Sequence, residues 1–111
     1  MRPDWRLKWI GETSPADQDG VTHRFRLRIG DRTSEHEVGC GRSTIATFLN
    51  QTFERGWTEE LAGIALCATK IKDERNTLGP PAERLNVWNA SSKIMLVEVE
   101  KLRSGEEINL D

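Results

Sequence analysis

The chain has 111 residues, 36% of them hydrophobic and 31% charged, which fits a single domain with a compact core and a heavily charged surface. Sixteen Lys and Arg stand against 18 Asp and Glu, a formal charge of −2, so the general basic excess of a nucleic-acid binder is excluded. No stretch approaches the ~18 apolar residues of a membrane span, Met1 to Trp5 holds no apolar signal region, and the two cysteines, Cys40 and Cys67, do not make a disulfide framework, so a cytoplasmic location and no membrane partner are expected.

Trp5-Arg6-Leu7-Lys8-Trp9 alternates with period 2, the signature of a half-buried strand with Trp5, Leu7 and Trp9 on one face. Gly11 to Gly20, rich in Thr, Ser, Pro, Asp and Gly, reads as a loop. Val21 to Ile29 alternates again. His23, Phe25, Leu27 and Ile29 share one face, and Arg24, Arg26 and Arg28 share the other. Gly30-Asp31 suits a type II′ hairpin turn, because glycine accepts the positive φ of the first turn position. That turn sets a register with the strand Arg32 to Val38. Ile29 faces Arg32, Leu27 faces Ser34, Arg26 faces Glu35, Phe25 faces His36, Arg24 faces Glu37 and His23 faces Val38. Both glutamates then meet arginines, each such pair contributing roughly 0.2–1 kcal/mol.

Ser43 is the expected N-cap of a first helix carrying Ile45, Phe48, Leu49, Thr52 and Phe53 at helical spacing, with Gly56 as its C′ residue. Thr58 caps a second helix, where Glu59 and Glu60 suit the positive end of the dipole and Leu61, Ile64, Ala65, Ala68 and Ile71 form an apolar stripe. That helix ends by Asn76, ahead of Gly79-Pro80-Pro81. Leu85 to Trp88 reads as a short strand or an ordered loop. Lys93 to Leu102 reads as a last strand with Met95, Val97 and Val99 inward, Ile94 and Leu96 on the outer parity, and Glu98 and Glu100 facing out. Ser104 to Asp111 reads as a flexible acidic tail. The fold class expected for residues 1–111 is α+β: one domain with an antiparallel sheet of about four strands, in the order β-β-β-α-α-β, and two helices on one face. Trp5, Trp9, Phe25 and Phe48 would centre its core.

Three groups of residues bear on function. Arg6, Lys8, Arg24, Arg26 and Arg28 form a cationic stripe suited to a phosphate backbone. Glu35, Glu37, Glu98 and Glu100 on the same face cancel its field, and it lacks the aromatic platforms on which bases stack. His23, His36 and Cys40 share a face and are chemically acceptable to zinc, but no CxxC or HExxH spacing supports a metal site, and no metal or cofactor is expected. Cys40, in Gly39-Cys40-Gly41-Arg42 ahead of a helix, is placed where a thiolate would be favoured. Trp88 with Ile94 and Leu96 suggests an apolar contact patch, beside which Glu98, Glu100, Glu106 and Glu107 would steer a basic partner. No family motif is present. The pattern therefore favours a small protein-interaction module over an enzyme, of the kind of an inhibitor or a toxin-neutralising immunity protein. Its partner surface is Trp88, Ile94, Leu96, Glu98 and Glu100, and the open sheet edge offers a route to a homo-oligomer. The alternatives are a nucleic-acid-associated protein using the arginine face, and a small cysteine- or metal-dependent enzyme built on Cys40.

Overall fold

Two alternating runs joined by Gly30-Asp31 fold back on each other. In the computed structural model, which describes residues 4–13, 19–52, 55–75 and 94–110, β2 (Gly20–Ile29) and β3 (Arg32–Gly41) pair antiparallel. All six cross-strand pairs expected from the turn are present, from Ile29 opposite Arg32 to His23 opposite Val38. Gly30 takes φ 61° and Asp31 does not turn positive, the pattern of a type II′ turn. Phe25 and Leu27 are buried, while Arg26 and Arg28 are exposed.

β1 (Trp5–Thr13) pairs antiparallel with the other side of β2. It runs past Gly11 into the segment expected to be a loop. A bulge makes this possible. Trp9 faces Phe25, Ile10 is passed over, and Gly11, at φ 135°, faces Arg24. The side-chain parity of the strand is reversed beyond that point.

The Gly39–Arg42 turn is also more regular than expected. β3 continues to Gly41, and α1 (Arg42–Gln51) begins directly, with Gly41 and not Ser43 at the N-cap position. Ile45 and Phe48 are its buried face. The helix closes at Thr52 with extended backbone, so Gly56, although left-handed at φ 100°, is not its C′ residue. Thr58 does cap α2 (Glu59–Arg75), its Oγ1 accepting from the Leu61 N–H at 3.2 Å. Trp57, just ahead of it, stands edge-on to Phe48 with ring centroids 4.9 Å apart and closes that end of the core.

α2 carries more than a stripe. Every residue from Ala62 to Thr69 is buried, so this part of the helix is enclosed around its circumference, against β2 and β3 on one side and α1 and a third helix, α3 (Leu96–Arg103), on others. α3 (Leu96–Arg103) occupies the segment whose alternation predicts a strand. Over these eight residues Val97 and Val99 keep the period of a strand while Val99 and Leu102 keep the spacing of a helix, and the caps decide. Glu98 accepts from the Met95 N–H at 3.1 Å. At the far end the Gly105 N–H donates to Leu102 and the Glu106 N–H to Lys101, a Schellman closure around Gly105 at φ 93°. Val99 and Leu102 then face the core, whereas Val97, which strand parity places beside Val99, is 61% exposed.

The Schellman turn sends the chain back to the sheet. Glu107–Asn109 forms β4 beside β1, with Ile108 opposite Leu7, and the Leu110 N–H donates to the Trp5 carbonyl at 3.0 Å. Residues 104–110 are therefore built into the fold and are not a free acidic tail. Ile108 and Leu110 are buried on the period-2 face that Glu107 and Asn109 leave. Among the described residues the architecture is α+β, a four-stranded antiparallel sheet in the order β3-β2-β1-β4 with helices on one face, three of them where two were expected. No described helix is long and apolar enough to cross a membrane. Docking of β4 predicts that Ile108→Ala costs about 2–5 kcal/mol in urea denaturation, the usual loss for a large-to-Ala change in a core. A mobile tail would give no change.

Candidate functional site

Three departures from regular patterning meet at one end of the sheet. The first is His23, an imidazole on the apolar face of β2 and only 1% exposed. The second is the bulge at Ile10. Arg6 and Lys8 point to the solvent side, but after the bulge Glu12 comes round to the helix side and stands directly opposite His23. The third is Gly63 in the enclosed stretch of α2. A Cβ there would lie 3.1 Å from His23 Nε2 and 3.3 Å from Val21 Cγ2, so any larger residue would press His23 and Val21 back by a few tenths of an ångström.

Around this point lies a cavity of about 200 Å³ lined by Glu12, Val21, His23, Arg42, Ile45, Glu59 and Glu60. Four elements contribute: the end of β1, the start of β2, and the first turns of α1 and α2. Two helix N-termini therefore open on it beside three carboxylates and one guanidinium. Glu60 is held by Arg103, which also stacks on Trp9 with its guanidinium carbon 5.2 Å from the ring centroid. Glu59 has no hydrogen bond or ion pair among the described residues.

Trp9 sets the state of the histidine. Its Nε1–H donates to His23 Nδ1 at 3.1 Å, so Nδ1 must keep its lone pair and the ring proton sits on Nε2. Nε2 is buried without a partner among the described residues. A buried donor left unpaired costs about 1–3 kcal/mol, which makes it a feature to be explained. Burial pushes the His23 pKa below its ordinary value, Glu12 and Glu60 oppose that shift only in part, and the imidazole is neutral near pH 7.

The residues nominated by the sequence are distributed differently. The cationic stripe is real. Arg6, Lys8, Arg24, Arg26 and Arg28 occupy the solvent side of the two central strands, with Arg6 opposite Arg28 and Lys8 opposite Arg26. Acids in the outer strands flank it: Arg24 pairs with Glu35 at 3.2 Å and Glu37 at 3.6 Å, Arg26 with Glu35 at 3.4 Å, and Arg28 with Glu107 at 3.4 Å. Glu98 and Glu100 are not on this face; they lie on α3, and Glu107 supplies the charge instead. The proposed partner surface is broken up as well. Ile94 is 1% exposed in the core, Leu96 is half-buried beside Gly56, Glu98 is engaged in the cap of α3, and Glu100 remains exposed, while Trp88 lies outside the described residues.

His23, His36 and Cys40 share a face without converging. His36 Nε2 bonds Ser34 Oγ at 2.9 Å, and among the described residues no group of three His, Cys, Asp or Glu is placed to hold a metal ion. Burial pushes the Cys40 thiol up, the reverse of the activated thiolate its position suggests, with Lys70 opposing the shift. The Cys67 thiol, deeper in α2 and donating to the Val38 carbonyl, is pushed up to about 12. Sequence reasoning missed Glu12, Arg42, Glu59 and Glu60 as a set. The available signal was a buried-parity histidine followed in space by a helical glycine. No protein-family model, curated protein or solved structure matches the chain.

The neutral histidine makes a pH-dependent contribution to stability. Its folded pKa lies below the unfolded value of about 6.5, so protonation favours the unfolded chain. The contribution is complete above that value and is lost as the pH falls through it toward the folded pKa. Urea denaturation from pH 7.5 to 5 should show a decline with a slope of at most about 1.4 kcal/mol per pH unit, and His23→Gln should flatten it. Long-range ¹⁵N–¹H correlations should show the proton on Nε2; a proton on Nδ1 would contradict the Trp9 hydrogen bond.

Proposed function

We propose that this chain is a protein-interaction module, of the inhibitor or immunity type, that receives a protruding polar group of another protein in the cavity above His23. The observation that carries this reading is the unpaired, buried Nε2–H beside a cavity walled by four separate elements. In its lining Glu60 is held by Arg103 and Arg42 by Asp19 at 4.0 Å, while Glu59 has no hydrogen bond or ion pair among the described residues. Catalysis has less support from this site. Its imidazole is locked by Trp9 in one tautomer with a lowered affinity for protons, which suits a fixed donor better than a proton shuttle. Cys40 and Cys67 are buried, unlinked thiols, which fits a reducing compartment such as the cytoplasm.

The nucleic-acid reading depends on Arg24, Arg26 and Arg28. Each of them has a carboxylate partner within 3.6 Å, so binding phosphate would require displacing those partners. A second copy pairing on β3 would use the sheet edge, and a partner in the cavity leaves that edge untouched.

The test is recovery of a partner from the native source with the wild-type chain, Glu59→Lys and Arg26→Glu. Both substituted positions are exposed, so folding should be unaffected. The cavity reading expects Glu59→Lys to lower recovery at least tenfold and Arg26→Glu to leave it unchanged. The reverse result assigns binding to the sheet face and refutes the reading.

A further inference from the structure

In an antiparallel sheet a strand points the backbone groups of alternate residues to one neighbour and the rest to the other side. The two-residue turn Gly30-Asp31 makes Ile29 and Arg32 a hydrogen-bonded pair, so Ser34, His36 and Val38 also bond β2. Thr33, Glu35, Glu37 and Gly39 therefore aim their N–H and C=O groups outward. No described strand lies beyond β3. The Gly39 carbonyl is taken by the Lys70 ammonium. The N–H and C=O groups of Thr33, Glu35 and Glu37 have no partner among the described residues, and all three residues are exposed. The other edge strand, β4, has three residues, whereas β3 runs for ten without a bulge or a proline. Such an edge is a template for a further strand unless its side chains forbid it.

The side chains decide which strand fits. A second copy must match outward residues with outward residues. Centred on Glu35, that pairing sets Glu35 against its own counterpart. Shifted one way it sets Glu35 against Glu37, and shifted the other way it brings Asp31 to Glu37. Like charges directly opposite are destabilising, so β3 repels itself. A cation in the added strand meets the reverse situation. Glu35 pairs with Arg24 at 3.2 Å and Arg26 at 3.4 Å, and Glu37 pairs with Arg24 at 3.6 Å through Oε1 alone. Both arginines belong to β2 and approach from the inner side. A carboxylate accepts about four hydrogen bonds, and the side chains of Glu35 and Glu37 are 49% and 65% exposed. Glu37 Oε2 has no partner among the described residues. A lysine or arginine opposite each glutamate continues the rows Arg26–Glu35 and Arg24–Glu37 with one more change of sign. We propose that the edge of β3 from Thr33 to Glu37 is a strand-addition site for an extended segment of another polypeptide that carries Lys or Arg at two alternate positions, and that it excludes a second copy of this chain. Main-chain bonds supply the grip and alternate side chains the selectivity, as strand addition works elsewhere. The site is separate from the cavity above His23 and does not rest on it.

The experiment uses ¹⁵N-labelled full chain. In the free chain the amides of Thr33, Glu35 and Glu37 should exchange with solvent at least tenfold faster than those of Ser34 and His36, at every protein concentration. The chain is then titrated with N-acetyl-Lys-Val-Lys-Val-Thr amide, whose lysines fall opposite Glu37 and Glu35 in the antiparallel register, and with two twins. One has glutamate for both lysines, and the other is N-methylated at both lysine nitrogens, which removes the donors that face β3. Saturable shifts at Thr33, Glu35 and Glu37 are expected with the lysine peptide, and at least tenfold weaker binding of both twins. Glu37→Lys, at an exposed position, should weaken the lysine peptide at least threefold and tighten its glutamate twin. Thr33→Pro removes an outward N–H and leaves the ladder with β2 intact, as proline does on edge strands. It should weaken the lysine peptide with the rest of the spectrum unchanged; if that variant does not fold, Glu37→Lys decides. Slow exchange of the three outward amides in the free chain overturns the proposal, because the edge is then already covered. Protection that grows with protein concentration overturns it in favour of a second copy. Equal binding of the glutamate twin removes the charge selectivity, equal binding of the N-methylated twin removes strand addition, and no shift with any peptide removes the site. Glu59→Lys, in the cavity, should leave binding of the lysine peptide unchanged, so failure here and failure of the cavity reading are distinguishable.

Discussion

A helical stretch with no exposed side must be enclosed, and the middle of α2 is such a stretch. From Ala62 to Thr69 every residue is buried, and the run is mostly small: Ala62, Gly63, Ala65, Cys67 and Ala68 let other elements approach closely. The three-stranded sheet β1–β3 covers one side only. α1 covers a second, and the rest must be covered by chain that comes later. This is why residues 94–110 return to the body of the protein as a helix and a strand. Ile94, Val99, Leu102, Ile108 and Leu110 are all buried there. Each buried side chain of this size contributes on the order of 1.5–3 kcal/mol, far more than the exposed ion pairs, which contribute roughly 0.2–1 kcal/mol apiece.

The same enclosure shapes the cavity. Close packing of α2 on β2 uses Gly63 at the level of His23, and the first turn of α2, where the helix leaves the core, carries Glu59 and Glu60. The bulge in β1 then turns Glu12 toward them. Trp9 ties these parts together. Its indole donates to His23, its ring carries Arg103, and Arg103 holds Glu60, so α3 buttresses a wall of the cavity it does not line. A change at position 9 or 103 would therefore be felt at the site through the orientation of His23 and Glu60.

Legibility in the sequence varied with how many independent signals agreed. The β2–β3 hairpin was readable to the residue because turn chemistry, alternation and charge pairing all named one register, and a one-residue slip would violate all three. α2 was readable because its periodicity runs over many turns. α3 was not, because Val97 and Val99 alternate as in a strand while Val99 and Leu102 are spaced as in a helix, and the deciding signals were the Glu98 cap and Gly105. β4 was hidden by the acidity of Glu106 and Glu107, although Ile108 and Leu110 carry the alternation. The cavity was half legible. His23 stood out as a polar residue at a core parity, but its neighbours depend on a bulge at Ile10-Gly11, and a single glycine in a polar stretch does not announce which side of it the parity reverses. Residues 76–93, which include Trp88, lie outside the described residues.

The two polar regions of the molecule differ in how completely they are satisfied, and that difference ranks them. On the open face of the sheet, one row across the strands runs Glu35, Arg26, Lys8, Glu107, a pair of like charges bracketed by opposite ones. Placing Lys8 beside Arg26 and Arg6 beside Arg28 is unfavourable alone, and Glu35 and Glu107 in the edge strands offset it. That face has used its charges to hold its own strands in register. At the end of the sheet charges are paired too, Glu60 with Arg103 and Arg42 with Asp19, but the regular pattern is broken. A buried donor has no acceptor, a glycine replaces a core side chain, and a strand breaks its parity to bring a carboxylate inward. Sequences keep such local inconsistencies where something other than folding requires them. The physical case for a binding site therefore lies with His23 and the groups around it, and not with the more conspicuous arginines.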